Sequence, residues 1–241
     1  MEILFIIILI IIAYLYSSVG HGGASGYLAL MAIFSFDPSV MKSTALTLNL
    51  FVAGVAFINY YRGGHFKWKL LLPFVITSMP MAYLGAMVMI NPKAYKIILA
   101  VFLLIAVARM LFFRGYKSQD IRNSSFVLSV LIGALLGFFS GMIGIGGGII
   151  LTPLLLLLHW ANVKEAAAAS ALFIFLNSGA GLLGVAQSGI SYSPEILTFI
   201  ICGLIGGLIG SYSGSFRYSS VLLRYLLAIV LVAASAKLFI I

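Results

Sequence analysis

Charged side chains are scarce here, and cysteine is scarcer. Only 8% of the 241 residues are Asp, Glu, Lys or Arg, against about a quarter in a soluble domain, which excludes an ordinary solvated surface. The single cysteine, Cys202, lies in an apolar, glycine-rich segment, so neither a disulfide framework nor a thiolate metal site can be built. No metal ligand set or cofactor is called for. The chain has no G-x-x-x-x-G-K-[ST] loop, which excludes ATP-driven work by that route. The opening MEILFIIILIIIAYLY carries Glu2 and no Lys or Arg ahead of its apolar run, unlike a signal peptide. It reads as the first membrane helix.

What is present is apolar: 63% of the residues. Apolar runs recur along the whole length, so residues 1–241 form one transmembrane domain of an all-α, polytopic membrane protein, placed in a bacterial or archaeal cytoplasmic membrane. The net charge of +9 comes from short basic clusters between apolar segments. These act as orientation signals and headgroup anchors, and nucleic acid is not a partner. The partners expected are the lipid bilayer and a small solute, and the composition is compatible with a homo-oligomer.

Shifting the chain over itself by about 124 to 126 residues lays SVGHGGASGYLAL (18–30) on MIGIGGGIILTPL (142–154) and STAL (43–46) on ASAL (169–172). Two repeats result, about 1–118 and 119–241. The first holds apolar segments at about 2–19, 24–36, 40–61, 69–90 and 94–113; the second at about 125–143, 148–159, 163–187, 195–214 and 219–240. The segment after each glycine break has about a dozen residues, where crossing the hydrocarbon takes about 20. Each is expected to be a half-helix or an arm of a re-entrant hairpin.

Loop charge predicts how the repeats are oriented, because lysine and arginine stay on the cytoplasmic side. Arg62, Lys67 and Lys69 fill the loop at 62–69, while its counterpart at 187–195 has no basic residue and ends in Glu195. Matching loops therefore face opposite sides, and the repeats are inverted, with both termini outside. Arg109, Arg114, Lys117 and Arg122, then Arg217 and Arg224, agree; Lys93 and Lys96 do not.

A broken helix in each of two inverted repeats is the layout of secondary transporters, whose half-helix ends meet to hold substrate. Glycines bare backbone N–H groups, and the following half-helix adds its positive dipole end, so each break suits an anion. Gly20, Gly22 and Gly23 form the first break; Gly144, Gly146, Gly147 and Gly148 form the second. Other glycines recur every fourth residue (Gly133, Gly137, Gly141; Gly206, Gly210, Gly214) and are assigned to helix packing.

Gly144, Gly146, Gly147, Gly148 and Pro153 fit the signature G-x-G-G-G-x-x-x-x-P. On these residues, its size and its two halves, the chain resembles the TauE/SafE family of sulfite exporters and related permeases of sulfur-containing anions. The resemblance implies a carrier of sulfite, another sulfur oxyanion or an organosulfonate. The first copy departs from the signature, with Ala24 for a glycine, Ala29 for the proline and His21 inserted.

Beside the breaks stand further candidate ligands: Ser25, then Thr44, Thr47 and Asn49 in the third segment, and Ser170, Asn177 and Ser178 in the eighth. Intramembrane hydroxyls and amides also serve as glue between helices. His21 is the deep titratable group, able to donate to an anion or to carry a coupled proton. His65 and His159 read as interfacial. Lys42 and Lys164 stand where they could draw an anion in from either side, or simply anchor the interface. Two other classes compete with the carrier. A passive anion channel would need a charged ring or filter, and none is visible. GASG (23–26) fits the G-x-S-G of a rhomboid-like serine protease with Ser25 as nucleophile, but the repeat accounts for it better, and the chain is not expected to be an enzyme.

Overall fold

The computed structural model describes residues 2–88, 121–187 and 189–223, with 225, 226, 228, 229 and 232 beyond. The expected fifth segment, with Lys93, Lys96, Arg109, Arg114 and Lys117, and also Arg224, lies outside the described residues. Every regular element among the described residues is helical: α1 Glu2–Ser18, α2 Ala24–Ile33, α3 Pro38–Arg62, α4 Trp68–Met87, α5 Phe126–Ile143, α6 Gly148–Leu157, α7 Val163–Ala186 and α8 Ile196–Tyr212, which runs into a π-helical turn Ser213–Arg217. Among the described residues five spans are long and apolar enough to cross a bilayer, and α2 and α6 have 10 residues each. At about 1.5 Å per residue those two reach only halfway through the hydrocarbon.

Glycine decides which helices touch. Side chains added at Gly133, Gly137 and Gly141 of α5 would land on the carbonyls of Phe74, Ser78 and Ala82 in α4. Added at Gly206, Gly210 and Gly214, they would land on the carbonyls of Ile10, Tyr14 and Ser18 in α1. In lipid no hydrophobic force draws helices together, so backbone-to-backbone contact of this kind supplies the attraction. The rising numbers on both members show that α4 runs parallel to α5, and α1 to α8. By contrast α3 and α7 cross antiparallel, with Leu46 against Gly181, Leu50 against Gly179 and Gly54 against Phe175.

Packing repeats when the halves are exchanged. The pair α4–α5 answers to α8–α1, α4–α7 to α8–α3, and α6–α7 to α2–α3, with α3–α7 at the centre. The two half-helices are thereby carried on the central pair.

The polar groups at the two ends differ. At one end the α3–α4 loop, the start of α7 and the π-helical turn converge: Lys164 Nζ donates to Ser215 O at 2.9 Å and His65 Nε2 donates to it at 3.2 Å. Glu165 closes a capping box with Asn162 and pairs with Lys67 at 2.6 Å. Partial burial holds His65 below the usual histidine range. At the other end Lys42 Nζ donates to Ala86 O at 3.0 Å, Ser43 bonds the Ser191 carbonyl, and Thr47 bonds the Tyr192 hydroxyl at 3.0 Å.

Candidate functional site

Both breaks close the preceding helix in the same manner. The N–H of His21 donates to Tyr16 O at 2.8 Å and that of Ile145 to Ser140 O at 3.1 Å, each five residues back. Gly20 and Gly144 make the reversal in the left-handed region, at φ 78° and 85°. Beyond it Gly23 (φ 97°) and Gly147 (φ 75°) lead into α2 and α6. Only glycine takes these angles without strain, so the breaks are fixed in the backbone.

The breaks lie against each other. Asn49 of α3 joins them: the N–H of Ala24, first residue of α2, donates to its Oδ1 at 2.9 Å, while its Nδ2 donates to Ile145 O at 3.2 Å and to Ser178 Oγ at 3.4 Å. The partners settle the amide orientation, since an N–H needs an oxygen and a carbonyl needs a donor. A second bridge runs from His21 Nε2 to Thr152 Oγ1 of α6 at 2.9 Å, and Thr152 donates to Ser170 Oγ of α7 at 2.7 Å. Between the breaks is a cavity of about 10 Å³, lined by His21, Gly22, Gly23, Ala24 and Ser25 from one half and Ile145 and Ile149 from the other, with Tyr16 and Ile174. That is room for a single water molecule.

Two buried polar atoms at the breaks lack a partner among the described residues, His21 Nδ1 and, beside Gly23, the Tyr27 hydroxyl; Thr44 Oγ1 of α3 and Asn177 Oδ1 of α7 are also unmet. A buried polar group left unpaired costs about 1–3 kcal/mol, so such a concentration marks a place built for something else. The start of α6 has no side-chain cap. Its first N–H groups are donors of the kind that suit an anion.

Of the residues singled out from sequence, His21, Gly22, Gly23, Ser25, Asn49, Gly146, Ser170 and Ser178 come together around the two breaks. Gly147 meets Phe173 and Ser140, and Gly148 meets Ile174. Gly20 packs on the Ala167 backbone and Gly144 on the Lys42 stem, so their work is close approach. Thr44 is buried with its hydroxyl unpartnered, and Asn177 Nδ2 bonds Phe173 O in its own helix. Thr47 faces Tyr192 instead of the breaks. Ser25 Oγ bonds the Tyr16 hydroxyl at 2.9 Å, and the nearby His21 Nε2 is engaged with Thr152, so no nucleophile–base pair forms. Sequence reasoning passed over Tyr16 and Thr152. Thr152 had a signal, as the one hydroxyl in GIILTPLLLL, next to Pro153.

Comparison with known proteins agrees in length and character. The family model described as sulfite exporter TauE/SafE matches residues 4–238. The chain is 32% identical over 239 residues to the probable membrane transporter protein y4hK of Sinorhizobium fredii, covering 95% of this chain and 94% of that protein. It is 31% identical over 194 residues to a probable membrane transporter protein of Methanocaldococcus jannaschii, covering 75% and 70%. A probable membrane transporter protein of Bacillus subtilis, YunE, is 28% identical over 172 residues, 63% of either chain. No solved structure matches.

Proposed function

The chain belongs to the sulfite exporter TauE/SafE family, a family of multi-pass membrane transporters and not of enzymes, and from that premise we propose that it carries a small anion between its two glycine breaks. The anion class is a sulfur oxyanion or organosulfonate, with sulfite first. One observation carries this reading: the starts of α2 and α6 face a shared cavity lined by His21, whose buried Nδ1 has no partner among the described residues. The positive dipole ends of both half-helices, with the start of α6 free of a side-chain cap, then hold negative charge without a buried lysine or arginine. The cavity of about 10 Å³ is smaller than any oxyanion, so loading requires the breaks to part.

Alternating access supplies that motion. The antiparallel crossing of α3 and α7, together with packing that repeats on exchange of halves, is what inverted repeats require. Access from one side breaks the bonds among Lys164, His65 and Ser215; access from the other breaks those of Lys42, Ser43 and Thr47. Arg62, Lys67, Lys69, Arg122, Lys164 and Arg217 gather at the first of these ends, which is therefore assigned to the cytoplasm, with the N-terminus outside.

Proteoliposome exchange of labelled sulfite, thiosulfate, sulfate and methanesulfonate tests the reading. At least one anion exchanges well above empty liposomes, and Gly147→Leu, which places a side chain against Phe173 and Ser140 at φ 75°, abolishes it. No exchange of any of the four, by protein that is folded and inserted, overturns the proposal.

A further inference from the structure

The proton inventory at the breaks is uneven. Thr152 has one hydroxyl hydrogen, and it goes to Ser170 Oγ. Its oxygen must then accept from His21, which places the imidazole hydrogen on Nε2 and leaves Nδ1 a bare lone pair. That Nδ1 is buried, with no partner among the described residues, on a side chain that lines the shared cavity. An anion oxygen also offers only lone pairs. Two acceptors repel unless a proton lies between them.

Resting on the anion reading above, we propose that the anion crosses together with one proton held between His21 Nδ1 and an anion oxygen. The proton comes from bulk water on the loading side, forms the N–H of an imidazolium at Nδ1, and leaves with the anion on the far side. The ring returns to its neutral form with Nε2–H on Thr152, and no bond of the anion is made or broken. Electrostatics favours the pairing, because among the described residues no charged side chain lines the cavity to offset a dehydrated anion. The titratable groups around His21 are phenols: Tyr16 of α1, with ring centroids 6.4 Å apart and its hydroxyl on Ser25, and Tyr27 of α2 behind Gly23. From α3, α6 and α7 come Asn49, Thr152, Ser170 and Ile174, none of which titrates.

Thiosulfate and methanesulfonate are the probes, being anions of acids fully ionised at working pH, so that any moving proton is carried by the protein. With voltage clamped at zero and the outside one pH unit more acid, the parent accumulates the exchanged probe about tenfold in the lumen. A lumenal pH dye records one proton entering per anion, and His21→Gln abolishes the accumulation. The proposal is overturned by a parent that exchanges the probe but accumulates none under the gradient, or by His21→Gln accumulating it tenfold. A parent that exchanges no anion at all removes the anion reading, and this inference with it.

Discussion

Asn49→Asp separates what holds the breaks together from what lets them take an anion. The exchange leaves shape unchanged, and a carboxylate oxygen still accepts from the Ala24 N–H, now at 2.9 Å from the amide oxygen. The donor to Ile145 O is lost, so one buried carbonyl goes unmet at about 1–3 kcal/mol. The larger effect is on the substrate. Asn49 stands directly behind Gly22, which lines the cavity, so a carboxylate would face a bound anion across a few ångströms. At about 4 Å and an effective dielectric of 20, like charges repel by about 4 kcal/mol, about a thousandfold in affinity. If the group protonates to escape this, its O–H can donate to Ile145 O in place of the amide, so the repulsion is read at a pH where the carboxyl is ionised. Asn49→Ala, which strands both Ala24 N–H and Ile145 O, costs more stability, about 2–6 kcal/mol. The assay is paired: a thermal melt of the purified protein, and proteoliposome exchange of the transported anion. Asn49→Ala melts lower than Asn49→Asp, and Asn49→Asp exchanges at background. Parental exchange by Asn49→Asp would show that no anion passes beside Gly22.

The other predictions concern separate parts of the molecule. Thr152→Val strands the His21 Nε2–H and lowers both melting temperature and exchange, while Thr152→Ser restores both; equal behaviour of the two variants would remove the bridge. Gly210→Leu drives a side chain into the Tyr14 carbonyl and Ser17, and yields no folded protein by size exclusion. Gly64→Ala, with open space around it at φ 73°, costs only the left-handed strain of about 1–2 kcal/mol. Because burial holds His65 below its unfolded value of 6.5, the folded protein binds fewer protons there. Its contribution is intact above pH 6.5 and is lost as pH falls below it. The melt should therefore drop more on acidification in the parent than in His65→Gln, and parallel curves would refute this. A C-terminal reporter active only in the cytoplasm should stay silent, and activity would reverse the assigned orientation.

Much of the fold was legible because lipid imposes simple rules. Segment ends expected at 2–19, 148–159 and 163–187 sit at Glu2–Ser18, Gly148–Leu157 and Val163–Ala186, set by glycine breaks and by the Asn162 cap. Every-fourth glycines meant close packing, and they touch carbonyls. The site was legible only in outline. Paired glycine clusters located both breaks, but the bonds between them join residues 96 to 131 positions apart, which no local pattern encodes. Asn49 has no asparagine at its repeat position, where the shift of 126 gives Phe175, so its role as a bridge left no trace. Thr47 misled for the opposite reason: a mid-segment threonine two residues from Asn49 sits on another face of the helix and reaches Tyr192. Thr152 resembled an ordinary hydroxyl in an apolar helix, since its significance arises only when His21 arrives from the other half.

Anomalous diffraction from crystals grown with selenite, the selenium counterpart of sulfite, tests the central claim most directly. A selenium peak between the starts of α2 and α6, within hydrogen-bond reach of the Ser25 and Ile149 backbone and beside His21, is the predicted result. A peak bound elsewhere in a protein that transports selenite, with the two breaks still closed on each other, would contradict it.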